Sequence, residues 1–192
     1  MAPPLFRQWF FDCLLKNGRA VIYPVYKGTF ERNDGLEIGT RLSHQYTDWM
    51  IKWVKDLSRS IDYLETRADI DTSKIGYLGH SWGGRLGGLI PAVEHRIKLS
   101  VLITGGIGGD QSYPEADPFN YIPRINTPVL MLNGKYDATF PFESTVQPFY
   151  DLLGTPEPDK RLVVTETDHW IPKQDFIRET LDWMDKYFGP VK

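Results

Sequence analysis

Five short apolar runs, separated by longer stretches, constrain the fold of this chain more than any other feature. The runs are nearly continuous in apolar residues and do not alternate with polar ones, which is typical of parallel strands that helices cover on both faces. Segments with helical periodicity lie between several of them, as in a β-α-β succession. The pattern therefore predicts an α/β fold with a mostly parallel sheet. The predicted strands are 20–25, 75–78, 99–104, 129–133 and 162–165.

Amphipathic stretches supply helices for the two faces of this sheet. Apolar residues recur at helical spacing over 46–64 and over 176–188, with charged residues between them. Weaker patterns of the same kind cover 5–16 and 142–153, and each ends at or close to a glycine. We interpret the aromatic and methionine residues of these stripes as core packing.

Length and charge limit the possible functions. The 192 residues suffice for one domain, and 22 Lys and Arg against 25 Asp and Glu give a net charge of −3, without the basic excess that nucleic-acid binding needs. The one cysteine, Cys13, excludes an intrachain disulfide and a metal–thiolate site. No apolar run reaches the roughly 18 residues of a membrane span, and no signal peptide is recognisable. We expect a single cytoplasmic domain over 1–192, with neither nucleic acid nor membrane as partner.

The sequence Gly79-His80-Ser81-Trp82-Gly83 directly follows the second apolar run. This G-x-S-x-G pattern is typical of a sharp strand-to-helix turn that exposes the serine, and the flanking glycines are expected to remove Cβ atoms that would collide. We predict Ser81 as a nucleophile and the backbone N–H of Trp82 as a donor to the oxyanion of a tetrahedral intermediate. The pattern alone is also compatible with a purely structural turn. A catalytic serine additionally needs a base and a group that orients the base.

An acid and a histidine follow the last two predicted strands. Asp137 comes shortly after 129–133, and His169 comes shortly after 162–165. Because the carboxyl ends of parallel strands share one edge of a sheet, we expect Ser81, Asp137 and His169 to meet there. In that arrangement His169 accepts the serine proton, and Asp137 fixes the imidazole tautomer and stabilises the imidazolium.

Other residues compete for the roles of acid and base. Asp168 is next to His169 and cannot easily reach back to its ring, and Asp110 and Asp117 lie in a long loop. A purely structural role for His169 is the alternative to the catalytic one. Surface or packing roles are expected for the other three histidines, His44, His80 and His95.

These motifs resemble the α/β-hydrolase superfamily, and within it the branch of dienelactone hydrolases, acetyl xylan esterases and prolyl oligopeptidase-like enzymes. The resemblance runs from about Gly18 to Phe188 and is carried by 79–84, 125–137 and 168–169. It implies the α/β-hydrolase fold, a catalytic triad of the serine, aspartate and histidine named above, and hydrolysis of carboxylic esters.

The run 23–30 is similar to the strand and loop that enter the active site in this branch. The resemblance makes Tyr26 a candidate to line the cleft or to donate a hydrogen bond to the oxyanion, with half-buried packing as the alternative. A looser similarity links the chain to esterase-like domains fused to bacterial serine/threonine kinases.

The chain departs from the family pattern at its front. Family members have a strand between their fourth and fifth strands, and the loop after that strand usually supplies a second oxyanion N–H. If 5–16 matches the family's first helix and 20–25 its fourth strand, the strand that should separate 20–25 from 75–78 is not encoded, and Pro3 and Pro4 have no N–H to donate. We hypothesise that this chain is the C-terminal portion of a longer hydrolase domain. An upstream segment or a partner chain, as in a homo-oligomer, then completes the sheet.

The stretch 105–126 has no clear periodicity and is rich in glycine and proline, which predicts an irregular loop. It is too short for a large lid, so we expect an open cleft suited to small or short-acyl esters. Aromatic residues near this edge are candidates for an apolar acyl pocket, with core packing as the alternative. They are Trp82, Tyr113, Phe119, Tyr121, Phe140 and Trp170.

Three functions are compatible with these features. The favoured one is a serine carboxylesterase that acts on a small-molecule ester through an acyl-enzyme. The second is a peptidase or amidase of the same fold, which must protonate a poorer leaving group. The third is a non-catalytic binding or regulatory module, for example one attached to a kinase, that lacks part of the oxyanion hole. No metal ion or organic cofactor is implied, because side chains and water complete the proposed chemistry.

Overall fold

One parallel sheet organises the protein, and the computed structural model describes residues 9–35, 37–109 and 111–191. The two central strands are almost wholly buried, which accounts for their continuous apolar sequence. The strands pair in the order β1-β2-β3-β4, and all three ladders are parallel. The α/β class predicted from the sequence is therefore confirmed. The strands are β1 (Ile75–His80), β2 (Ile97–Ile103), β3 (Val129–Gly134) and β4 (Lys160–Thr165).

Helices cover both faces of this sheet. They are α1 (Trp9–Lys16), α2 (His44–Glu65), α3 (Trp82–Leu86), α4 (Ile90–Val93), α5 (Gln147–Leu152) and α6 (Lys173–Phe188). One apolar cluster joins α1 and α6 to Leu99, Val101 and Ile103 of β2. The other cluster joins α2, α3, α4 and α5 to the opposite face of the same strand, where Leu102 points. The alternation of side chains along β2 thus places one core on each side of the sheet.

The predicted first strand, 20–25, is wrong. Its backbone is not assigned to a strand and makes no backbone–backbone hydrogen bond within the described ranges. A cavity of about 1200 Å³, which we call the edge cavity, is lined on one side by residues 18–24 and on the other by β1. A strand needs a hydrogen-bonded neighbour about 4.8 Å away, and apolar sequence alone does not supply one. Within the described residues the sheet therefore has four strands rather than the five predicted, and β1 lies at its edge.

The remaining predicted elements are found with changed boundaries. The helix predicted over 5–16 is observed as α1, and the part ahead of α1 lies outside the described residues. In the described part of 105–126 the regular structure is limited to two single turns, Pro118–Asn120 and Ile122–Arg124. The helix predicted over 142–153 begins with a π-helical turn and continues as α5.

Pro3 and Pro4, and the candidate acid Asp110, lie outside the described residues. Cys13 is a buried free thiol on α1. Over the described parts of the chain, none of the helices has the length and apolar character that crossing a membrane requires.

Candidate active site

Ser81 occupies a strained turn between β1 and α3. Its φ of 55° and ψ of −109° lie where residues other than glycine are rarely found. Its N–H donates to the carbonyl of Ile103 (2.8 Å), and its own carbonyl accepts from the N–H of Arg85 (2.9 Å). The turn is therefore fixed from both sides, and the serine stands at the carboxyl-terminal edge of the sheet.

Close backbone packing around this turn explains two of its glycines. A Cβ on Gly79 would collide with the carbonyl oxygen of Gly83, and a Cβ on Gly84 would come within 2.8 Å of the Cα of Gly105. A Cβ on Gly83, in contrast, would lie at an ordinary contact distance of 3.8 Å from the hydroxyl of Tyr77. The expectation that glycines on both sides of the pattern prevent collisions is correct for Gly79 and wrong for Gly83. Gly84, the next residue, is the one that must lack a Cβ on this side of the turn.

The structure brings the predicted serine, histidine and aspartate into one hydrogen-bonded chain. The Nε2 atom of His169 lies 2.8 Å from the Oγ of Ser81. Its Nδ1 atom lies 2.7 Å from the Oδ2 of Asp137. Because an ionised carboxylate only accepts hydrogen bonds, this contact assigns the proton to Nδ1 and leaves Nε2 as the acceptor facing the serine.

Backbone N–H groups hold the Asp137 carboxylate in place. Its second oxygen, Oδ1, accepts from the N–H of Thr139 (2.8 Å) and from the N–H of Phe140 (3.1 Å). The residue is 2% exposed, so these donors replace the water that would otherwise solvate the charge. One oxygen is fixed by the loop and the other faces the imidazole.

The loops that carry the acid and the base are joined to each other. The N–H of Lys135 donates to the carbonyl of Thr165, and that of Tyr136 donates to the carbonyl of Thr167, both at 2.9 Å. These bonds extend the pairing of β3 and β4 beyond their last residues. The segment leading to Asp137 is therefore positioned relative to the one leading to His169 by backbone contacts.

The competing acids in the described ranges are engaged elsewhere. Oδ1 of Asp168 accepts from the N–H of Trp170 at 2.9 Å. Oδ1 of Asp117 accepts from the N–H of Phe119 at 3.1 Å, inside the irregular loop. Asp137 is thus the carboxylate that contacts the imidazole.

The other histidines occupy packing or surface positions, as the sequence predicts. His80 stacks on Trp170 with ring centroids 5.1 Å apart, and its ring lies 5.5 Å from that of His169. His44 packs against an aromatic ring of the irregular loop, and His95 is exposed. His80 consequently supports the base from the side, although it does not take part in the hydrogen-bonded chain.

Two of the predicted cleft aromatics flank the base. The ring of Phe140 stacks 6.1 Å from that of His169, and Trp170 meets it edge-on at 5.6 Å. Phe140 is buried, whereas Trp170 is 42% exposed and faces solvent at the site. The ring of Trp82 instead packs against α2, 5.9 Å from Trp53. Tyr113, Phe119 and Tyr121 lie in the irregular loop.

Tyr26 lies away from the hydrogen-bonded chain. Its ring packs edge-on against Trp53 at 6.5 Å and lines the edge cavity. Burial raises the pKa of its hydroxyl well above the ordinary value, which keeps it protonated and able to donate. A role toward substrate stays a prediction.

One buried charge beside the turn was not anticipated. Arg85 is 1% exposed, and its guanidinium lies 5.8 Å from the ring of Trp82. Burial lowers its pKa. The one sequence signal for it was its place four residues after Ser81, the residue that caps the helix on which Arg85 lies. Arg85 and Trp53 both pack against the ring of Trp82, and these contacts hold in place the residue whose N–H begins α3.

Comparisons with known proteins give a consistent result. The model of the dienelactone hydrolase family matches residues 10–164, which include Ser81 and Asp137 and end shortly before His169. Among curated proteins, the bis(hydroxyethyl) terephthalate hydrolase of Streptomyces coelicolor is 26% identical over 141 residues. The match covers 69% of this chain and 42% of that protein. The chain therefore spans less than half the length of this curated relative.

Solved structures agree in fold. A cold-adapted esterase from an Arctic intertidal metagenomic library, solved as a complex with PEG, is 26% identical, with a TM-score of 0.64 over 84% of this chain and 67% of its own. Est1E from Butyrivibrio proteoclasticus, solved with ferulic acid, superposes with a TM-score of 0.72 over 97% of this chain and 85% of its own. At 15% identity the latter likeness shows the fold alone.

The names of these relatives are those of a hydrolase and of an esterase. The parallel sheet, the strained serine turn and the family match over most of the sequence agree with one another. The chain belongs to the dienelactone hydrolase family, and its fold is that of the α/β-hydrolases.

Proposed function

We propose that this protein is a serine esterase that cleaves small carboxylic esters through an acyl-enzyme formed on Ser81. The observation that carries the proposal is the hydrogen-bonded chain from Ser81 through His169 to Asp137. Its support from outside the site is the family membership and the esterase and hydrolase names of the relatives.

In the first step the Oγ of Ser81 attacks the ester carbonyl carbon while Nε2 of His169 takes the hydroxyl proton. The new C–O bond gives a tetrahedral intermediate whose former carbonyl oxygen carries the negative charge. The imidazolium then gives its proton to the alkoxy oxygen, the C–O bond of the ester breaks, and the alcohol leaves. The serine is now acylated, and the histidine is neutral again.

In the second step a water molecule replaces the alcohol. Nε2 of His169 takes a proton from the water as its oxygen attacks the acyl carbon. The second tetrahedral intermediate collapses, the bond to Oγ of Ser81 breaks, and the imidazolium returns the proton to Oγ. The acid product leaves, and the enzyme is in its starting state.

Asp137 stabilises the histidine in both steps. Its carboxylate lies 2.7 Å from Nδ1 and holds the tautomer in which Nε2 is free to accept a proton. When Nε2 is protonated, the nearby negative charge stabilises the imidazolium. Two backbone donors keep this carboxylate in position throughout the cycle.

The backbone N–H of Trp82 is the proposed oxyanion donor. As the first residue of α3 it presents an N–H that no preceding helical turn can satisfy, next to the serine that forms the new bond. Packing of the Trp82 ring against Trp53 and Arg85 keeps this N–H from moving. A developing alkoxide beside it is stabilised without reorganisation of the backbone.

An ester is the proposed substrate rather than an amide. The alcohol of an activated ester leaves with little help, whereas an amine requires full protonation from a precisely placed acid. The exposed Trp170 beside His169 indicates an open site that admits small acyl and alcohol groups. A peptidase needs additional contacts to hold an extended chain in register.

We expect kcat/KM for 4-nitrophenyl acetate to exceed that for 4-nitroacetanilide by at least about 100-fold, because proton transfer to a poor leaving group contributes on this scale. The two compounds share their acyl group and aromatic ring, so the comparison isolates the bond that is broken. Initial rates at one pH, followed by nitrophenol or nitroaniline release, give the ratio. Comparable rates for the two compounds contradict the esterase proposal and favour an amidase. A folded protein that hydrolyses neither favours a non-catalytic module.

A further inference from the structure

A tyrosine hydroxyl from β1 contacts the first turn of α3. The Oη atom of Tyr77 donates to the carbonyl oxygen of Gly83 at 2.7 Å. Tyr77 precedes Ser81 in the strand, and Gly83 follows the serine in the helix. The bond therefore connects the two elements on either side of the serine turn. The hydrogen-bonded chain through His169 makes no use of this hydroxyl.

The carbonyl of Gly83 has little freedom to move. It also accepts from the N–H of Gly87 at 3.0 Å, as expected within a helix. Gly79 packs so closely against the same oxygen that a Cβ there would collide with it. Because side chains alternate along a strand, Tyr77 lies on the same face of β1 as Gly79. The strand thus sets the position of this carbonyl through one close backbone contact and one hydrogen bond.

α3 depends on such contacts because its own sequence favours a helix only weakly. It has five residues, two of them glycines, and Gly87 follows it directly. Apart from proline, glycine is the residue least favourable in a helix interior, and a helix this short is not stable by itself. Gly84 cannot become a better helix former, since a Cβ there would come within 2.8 Å of the Cα of Gly105. Tertiary contacts therefore hold α3 in place.

Tyr77 is a constant donor to this turn. The residue is 7% exposed, and its ring belongs to the apolar cluster between the sheet and α2. Burial, with a smaller contribution from the neighbouring Tyr26, raises the pKa of the Tyr77 hydroxyl well above its ordinary value. The hydroxyl therefore stays protonated at any pH suited to an esterase assay.

We propose that Tyr77 is a positioning residue for the oxyanion donor, and that its bond to Gly83 holds the first turn of α3 where the N–H of Trp82 meets the oxyanion. Gly83 directly follows Trp82, so a shift of this carbonyl moves the donor with it. The inference rests on the proposed function. Tyr77 acts through Trp82 and is not assigned a contact with the reacting atoms.

The oxyanion exists in the transition state and the tetrahedral intermediate but not in the bound ester. An oxyanion donor is effective only at hydrogen-bonding distance from the position of the developing charge. A displaced donor therefore raises the barrier of the chemical step and leaves the binding of the neutral substrate nearly unchanged. Loss of the Tyr77 hydroxyl should for this reason appear in kcat rather than in KM.

Tyr77→Phe removes the Oη atom and keeps the ring in the apolar cluster. We expect kcat for 4-nitrophenyl acetate to fall about tenfold, with KM within about twofold of the unchanged protein. The affinity of an alkyl trifluoromethyl ketone should fall by the same factor as kcat. The Oγ of Ser81 adds to the carbonyl carbon of this inhibitor while His169 takes the proton, and the resulting oxyanion resembles that of the transition state.

Two further variants separate positioning from general effects of the substitution. Tyr77→4-aminophenylalanine puts an N–H donor in place of the hydroxyl and should recover most of the lost kcat. Tyr150→Phe is the matched control, because the Tyr150 hydroxyl also donates to a backbone carbonyl, that of Lys160 at 3.4 Å. Tyr150 lies on α5, and its variant should keep the kcat of the unchanged protein.

Hydrogen–deuterium exchange examines the same turn without substrate. The N–H groups of Arg85 and Gly87 donate to the carbonyls of Ser81 and Gly83, so their exchange reports how firmly the turn is held. We expect exchange at both amides to be at least about fivefold faster in Tyr77→Phe and unchanged in Tyr150→Phe.

A folded Tyr77→Phe variant with the kcat of the unchanged protein overturns the proposal, even if its melting temperature is lower, because the role of Tyr77 is then purely structural. A loss that appears in KM alone also overturns it. If the unchanged protein hydrolyses no ester, the proposed function fails, and exchange decides separately whether Tyr77 holds the turn. Equal exchange in Tyr77→Phe and the unchanged protein overturns that part. A 4-aminophenylalanine variant that folds but recovers no kcat contradicts the role of the hydrogen bond.

Discussion

Replacement of Ser81 by alanine is expected to lower kcat/KM for 4-nitrophenyl acetate by roughly 10⁴- to 10⁶-fold, because the acyl-enzyme can no longer form. Alanine removes the Oγ atom and keeps the Cβ, so the turn with its φ of 55° keeps the strain that serine already has. The loss should therefore appear in kcat and not in the melting temperature. Initial rates and thermal unfolding of the two proteins check both parts.

Ser73→Ala is the matched control for this change. Ser73 is exposed in a turn ahead of β1 and bonds to Asp71, away from the imidazole. The Ser73→Ala variant should hydrolyse 4-nitrophenyl acetate at the rate of the unchanged protein. Equal rates for the Ser81→Ala variant and the unchanged protein contradict the serine mechanism, provided that both are folded.

Replacement of Asp137 by asparagine is expected to lower kcat by about 10⁴-fold with little loss of stability. The reason lies in the donors that surround the carboxylate. The N–H groups of Thr139 and Phe140 require an oxygen at the Oδ1 position, so the asparagine amide must turn its NH₂ toward His169. The Nδ1 atom then has to accept, the ring proton moves to Nε2, and Nε2 can no longer take the proton of Ser81.

Asp151→Asn provides the control for charge removal. Asp151 is an exposed residue on α5 and accepts a hydrogen bond from Gln147. The Asp151→Asn variant should keep the wild-type kcat. An Asp137→Asn variant with wild-type kcat would show that the contact with His169 does not orient the base. Steady-state kinetics of both variants decide the matter.

The meeting of Ser81, Asp137 and His169 was predictable because each follows the carboxyl end of a parallel strand. The order of strands then places the three loops on one edge, whatever the details of the helices. The choice of Asp137 over Asp168 as the acid was also predictable, from the local geometry of the chain. Asp168 is next to the histidine in sequence, and its carboxylate turns back to the N–H of Trp170.

The absence of a strand at 20–25 was not predictable from the residues of that segment. Apolar sequence favours a strand, but a strand exists only where another backbone lies at hydrogen-bonding distance, and that depends on the rest of the sheet. The edge cavity occupies the position of such a neighbour. Local propensity and tertiary structure therefore disagree at this one segment.

The directions in which side chains point could not be predicted from the sequence either. Trp82 and Trp170 both adjoin a predicted catalytic residue, yet one packs beneath α2 and the other flanks the base. The close contact at Gly84 likewise arises from the end of β2, distant in sequence. Such contacts depend on how separate helices, strands and loops pack against one another. The periodicity of the sequence does not contain that information.

The central claim is that Ser81 is an activated nucleophile, and covalent labelling tests it most directly. The purified protein is incubated with a fluorophosphonate, digested, and the modified peptide is located by mass spectrometry. The account predicts one phosphonylated residue, Ser81, with labelling lost in Ser81→Ala and greatly slowed in Asp137→Asn. A folded protein that remains unlabelled, or that is labelled at another residue, contradicts it.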